Sequence, residues 1–189
     1  MVNLSTILTE IRGQVTDGGR YVHTVAVLNV RHGMRREHFT LDVSNVDWVD
    51  TDEEPRKPSV TIDFTGPATE LRERLTGHDG EILEASETDV ALRLQDPLGD
   101  DADGVVSVTD RITGEFILEL NEEAEDVLAF IKAARSYGEA TAEDDGRYEV
   151  TINLDGEEFV SYDKRTFLVY DDEGDLLRQH SLIPSGVEL

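Results

Sequence analysis

The stretch Tyr148-Glu149-Val150-Thr151-Ile152-Asn153-Leu154-Asp155-Gly156-Glu157-Glu158-Phe159-Val160-Ser161-Tyr162 sets the frame for the chain. From Tyr148 to Leu154 apolar residues take every second position, with Glu149, Thr151 and Asn153 between them, the period of a strand with one buried face. Asp155-Gly156 is a two-residue hairpin signal, because a type I′ turn needs positive φ at both central positions. Phe159 to Tyr162 is expected to pair back. Downstream, Phe167 and Val169 read as a continuation of this meander, Asp171 to Asp175 as an acidic turn around Gly174, and Leu176 to Leu182 as a last strand.

Upstream, the polar link Glu139 to Gly146 separates this hairpin from a helical pattern. Val127, Leu128, Ile131 and Ala134 fall on one helical face, Asn121 suits an N-cap, and Glu122, Glu123, Glu125 and Asp126 suit the positive end of the helix dipole. Gly138 reads as the stop, so a helix over about 122–137 is expected. A second, short helix over about 67–76 is marked by Pro67 at its start, Leu71 and Leu75 one turn apart, and Gly77 beyond. Alternation predicts strands at Phe39 to Val43, Val60 to Phe64 and Val90 to Leu94, and a hairpin from Val106 through Thr113-Gly114 to Leu120. Val46 to Pro58 and Asp96 to Gly104 read as loops. The expected fold class is α+β: one or two predominantly antiparallel sheets of hairpins and meander, with two covering helices.

Acids number 42 against 17 bases, a formal charge of −25 over 189 residues, and there is no cysteine. That excludes disulfide scaffolds, thiol nucleophiles and thiolate zinc sites. Arg35-Arg36, Arg56-Lys57, Arg72 with Arg74, and Lys164-Arg165 are each flanked by acids, so surface ion pairs are expected and nucleic acid is not a partner. Only Lys57, Lys132 and Lys164 are lysines, and the acids are spread through every element instead of forming one block. Such self-repulsion destabilises a compact state unless dense counterions screen it, which points to a salt-in cytoplasm. No run approaches the roughly 18 apolar residues of a membrane span and no secretory pattern opens the chain, so a cytoplasmic, membrane-free location is expected.

Residues 1–33 hold Arg12, Arg20 and Arg31 against Glu10 and Asp17, which leaves −26 on residues 34–189. The neutral leader reads as an N-terminal extension, non-native or disordered, ahead of a single acidic α+β domain that opens at Met34; the alternative is a short helix at Leu4 to Ile11 and a strand at Tyr21 to Val30.

The phosphate-binding loop, the dinucleotide fingerprint, the nucleophile elbow and the HExxH zinc signature are all missing. The histidines, His23, His32, His38, His78 and His180, are scattered. Asp101, Asp103, Gly104 and Asp110 echo part of a calcium loop begun at Gly99, but Gly99 supplies no carboxylate, and a solvated acidic loop is the preferred reading. No catalytic, cofactor-binding or metal-ligating residue is assigned. The apolar end, Ser181 to Leu189, reads either as a final strand with a frayed end or as a segment docked on its own sheet or on a neighbouring subunit.

Met34-Arg35-Arg36, Phe39 to Val43, Phe116 to Asn121 and Leu176 to Leu189 together resemble a family of small uncharacterised acidic haloarchaeal proteins, a domain of unknown function. The resemblance covers most of residues 34–189 and implies no activity, cofactor or site residue. The expected function is a non-enzymatic binding or assembly module with a protein partner or homo-oligomeric contact. The alternative is a small hydrolase whose site is built from carboxylates and His180.

Charge alone generates one prediction. The screening length falls from about 10 Å at 0.1 M salt to about 3 Å at 1 M, so the melting temperature should climb steeply in KCl from about 0.1 to 3 M. A flat melting profile across that range would contradict the salt-in reading.

Overall fold

The computed structural model describes residue 34 and residues 38–51, 53–99, 102–141 and 147–184, within the unit His32–Leu189. The expected extension over residues 1–33 lies outside the described residues, as do Asp101 and residues 185–189.

The quoted stretch folds as expected. β6 (Tyr148–Leu154) and β7 (Glu157–Lys164) form an antiparallel hairpin, with Asp155 at φ 54° and Gly156 at φ 81° in its turn. Its other neighbour is distant in sequence. β2 (Ser59–Phe64) lies parallel to β6, matching Val60 with Val150, Ile62 with Ile152 and Phe64 with Leu154. β1 (Phe39–Ser44) closes that sheet antiparallel to β2, giving the order β1-β2-β6-β7.

The chain between β2 and β6 builds α1 (Ala68–Arg74), then β3 (Thr88–Leu94), β4 (Asp103–Asp110) and β5 (Phe116–Glu123), and returns through α2 (Ala124–Ala140). The second sheet has the order β5-β4-β3-β8, where β8 is Leu168–Tyr170. The class is α+β. Antiparallel pairs predominate, but each sheet contains one parallel pair, β2 with β6 and β3 with β8.

Several expectations are corrected. Asn121 does not cap α2: Asn121, Glu122 and Glu123 continue β5 opposite Val105, Gly104 and Asp103, and Ala124 N–H bonds the Ala102 carbonyl at 2.9 Å. Three ladder positions outweigh a cap of about 1 kcal/mol, and the helix begins at Ala124 instead of residue 122, without a side-chain cap. Gly104 is required there, since a Cβ would stand 2.5 Å from Leu92 Cδ1. At the other end Gly138 does not stop the helix: it is buried within α2, which runs on to Ala140. α1 is shorter than expected, with Pro67 at its N-cap and Leu75 at its C-cap.

The meander also fails after β7. Instead of returning along β7, the chain crosses to the second sheet, where Leu168, Val169 and Tyr170 pair in parallel with Ala91, Leu92 and Arg93. Leu176 to Leu182 is not a strand; isolated bridges join Leu176 to Tyr170 and Leu182 to Phe167 around a turn. Leu182 is thereby buried on its own domain.

One core fills the space between the inner faces. Phe64, Leu71, Leu75, Leu92, Leu94, Ile152 and Leu154 are all buried. α2 contributes Ala124, Val127, Phe130, Ile131 and Ala134, whereas Leu128, expected in the stripe, is only half-buried. Ile131, 2% exposed, should therefore cost about 2–5 kcal/mol when changed to Ala, and Leu128→Ala clearly less. Denaturant titration of the two variants in concentrated KCl checks this, and equal losses would contradict the rotation of α2.

Candidate functional site

The inner faces are not filled evenly. Where β1, β2 and β6 face β3, β4 and α2, a cavity of about 330 Å³ remains, bounded by Val60, Ile62 and Val150 of the first sheet, Val106 and Val108 of the second, and Phe130 of α2. Sequence explains the space. Eight of the sixteen described lining residues are valines, whose side chains end one carbon short of Leu or Ile, while packed sheets stay about 10 Å apart. Facing valines therefore span less of that gap than leucines or phenylalanines would. Tyr148 closes the inner end with its ring, set edge-to-face on Phe130 at 5.3 Å, while its hydroxyl donates to the Thr166 carbonyl at 2.7 Å.

The mouth is acidic. Glu122, at the end of β5, and Asp126, in the first turn of α2, both line the cavity and also face a groove shared with Gln95, Asp103, Asn121 and Glu123. Burial pushes the Glu122 carboxyl above its ordinary range, and the charges of Asp126 and Glu123 push it further the same way.

Lys164, expected in a surface ion pair, is 5% exposed. Its Nζ donates to the Ala85 carbonyl at 2.6 Å, to Thr88 Oγ1 at 3.1 Å and to the Thr88 carbonyl, so three donors meet three acceptors. The ammonium thus pins the edge strand β7 to the start of β3 in the other sheet. Burial pushes its pKa down to about 8; Asp89 opposes the shift and Arg111 adds to it. Of the other basic positions, Arg56 pairs locally with Glu53 at 3.1 Å and Arg74 with Glu70 at 3.0 Å, Lys57 pairs with the distant Asp163 at 3.5 Å, Arg72 lies over the Phe159 ring, and Arg35-Arg36 lie outside the described residues.

The remaining sequence candidates do not converge. Asp103 and Asp110 stand at opposite ends of β4, Asp101 lies outside the described residues, and the Asp110 carboxylate accepts from Ile112 and Thr113 N–H in the β4–β5 turn. That bonding, Thr113 first, holds Asp110 below its ordinary range. Among the described residues no group of His, Asp and Glu has the arrangement of a metal site. His180 sits in the turn before Leu182, and among the described residues no carboxylate bonds its side chain. The adjacent Ser181 hydroxyl is a peg, donating to the Leu177 carbonyl and accepting from Val169 N–H, both at 2.9 Å. His23 and His32 lie outside the described residues.

With this geometry in view, a family model matches residues 34–189, whose description is a family of unknown function, DUF5793. The chain belongs to that family. No curated protein and no solved structure matches it. The DUF5793 region therefore holds the whole site described above, and no helix among its described residues is long and apolar enough to cross a membrane.

Three features of the site escaped the sequence. Inward valines at positions 60, 90, 106, 108 and 150 were a readable signal of thin packing, and a lysine retained in so lysine-poor a chain was a signal of a structural amine. Glu122 carried none, because it was placed in a helix.

Lys164 generates a pH prediction. An unfolded lysine titrates near 10.4, so between about pH 8 and 10 only the unfolded state keeps this proton, and stability should rise with pH across that window. Lys164→Met removes the rise, whereas Tyr162, pushed up to about 12, acts alike in both proteins. Unfolding free energies at about pH 7 and 9.5 should diverge in favour of the wild type as pH rises; a constant difference would refute the lowered amine pKa.

Proposed function

We propose that this chain is a binding module that takes a small apolar ligand into the cavity between its sheets, in the cytoplasm of a salt-in cell. The cavity carries the reading: about 330 Å³, lined mainly by apolar side chains and open between β1 and α2, at the small end of the roughly 300 to 1,000 Å³ of ligand pockets. Val43 and Ala129 at the opening are exposed, so a ligand has a way in. The acid-rich, lysine-poor surface supports the salt-in location.

A protein partner or a homo-oligomeric contact is the other form of such a module. Its support is the exposed Ile112 and Phe116 at the β4–β5 turn. That support is thinner, because single exposed apolar side chains are ordinary at protein surfaces. The hydrolase has less support: the Ser181 hydroxyl is held by backbone, and among the described residues no carboxylate orients His180.

The neutral apolar dye N-phenyl-1-naphthylamine tests the reading, since its fluorescence rises on entering a dry site. The wild-type protein in KCl should bind it saturably. Ala129→Phe, on the exposed side of α2, should plug the mouth and weaken binding on the order of tenfold while leaving the melting temperature unchanged. Equal binding by both proteins, or none by the wild type, would overturn the assignment.

A further inference from the structure

The half-buried carboxylates differ in one respect. Asp63 accepts from Asn153, Glu70 from Arg74, Glu87 from the backbone of residue 84, Glu149 from Ser161 and Asp171 from Glu173 and Asp175 N–H. Asp89 has Arg111 at 3.9 Å, Asp110 has its turn amides, and Glu119 is also engaged. Among the described residues Glu122 alone of this class has no donor and no cation; the charges that act on it are those of Asp126 and Glu123. No side-chain hydrogen bond from it caps α2.

A partly dehydrated carboxylate with two others beside it and no cation is less stable than a solvated one unless something supplies a counter-charge. Here it stands where an apolar cavity opens into an acidic groove, so a cation placed between Glu122 and Asp126 could carry an apolar body into the valine-lined space. An anion or a neutral molecule would leave the carboxylates unmatched.

We propose that the ligand of this site is a small amphiphilic amine, its ammonium held between Glu122 and Asp126 and its apolar chain lodged between the sheets. This rests on the ligand-binding reading of the cavity and adds the chemistry of the head group. A hydrogen bond from an ammonium to the half-buried Glu122 carboxylate is of the stronger, charge-assisted kind and is screened less by salt than one to the exposed Asp126.

Calorimetric titration of the full chain with octylammonium, octanol and octanoate separates the two levels. Octylammonium should bind on the order of tenfold more tightly than octanol, and octanoate more weakly than either. Glu122→Gln, which relieves repulsion and should fold, should bring octylammonium down to the affinity of octanol while leaving octanol unchanged; Asp126→Asn should lower the preference in part. Glu81→Gln, exposed and away from the cavity, should preserve it. If octanol and octylammonium bind alike, or if Glu122→Gln keeps the preference, the amine assignment falls and the apolar cavity stands. If none of the three binds, both fall.

Discussion

The parallel pairing of β2 with β6 is the constraint on which the rest of this domain depends. Strands ending at residue 64 and beginning at residue 148 lie side by side, so everything between them must leave the sheet and return. A parallel pair needs a crossover connection, and here the crossover is large enough to build three strands of a second sheet and both helices. The two sheets then share one core because the connection has nowhere else to bury its apolar face. β8 completes the exchange: the chain leaves the first sheet after Lys164 and adds a parallel strand to the second.

Side-chain length divides that shared core into two regions. Phe64, Leu71, Leu75, Leu92 and Leu94 are buried together in the core. Beneath α2 many of the inward positions are valines, and the short side chains leave a gap between the two faces. A cavity of this kind sacrifices dispersion contacts on its lining, so it lowers stability unless it is filled.

Electrostatics follows the same division. Most charge on this chain is spread over solvent-facing positions, where salt governs it. The exceptions are tied to architecture. Lys164 satisfies three oxygens at the seam between the sheets and is buried there. Glu122, set at the junction of β5 and α2, is the converse, a partly dehydrated charge with only like charges around it.

Local chemistry by itself determined much of this protein. The period of two from Tyr148 to Leu154, the Asp155-Gly156 turn, the hairpin through Gly114 and the existence of both helices were legible because alternation, turn residues and apolar spacing are properties of adjacent residues. The α+β class followed from them. Only tertiary structure decided which strands met: the periodicity of Phe167 and Val169 says that they are extended, but not that they join β3 in parallel. The start of α2 was decided there too, since Asn121 to Glu123 gain ladder bonds opposite Gly104 that no local propensity contains. The candidate site was legible only in its parts. Inward valines can be read from the chain, but an empty volume exists only once two such rows face each other, and Glu122 became a group without a counter-charge only when β5 placed it beside Asp126 at that opening.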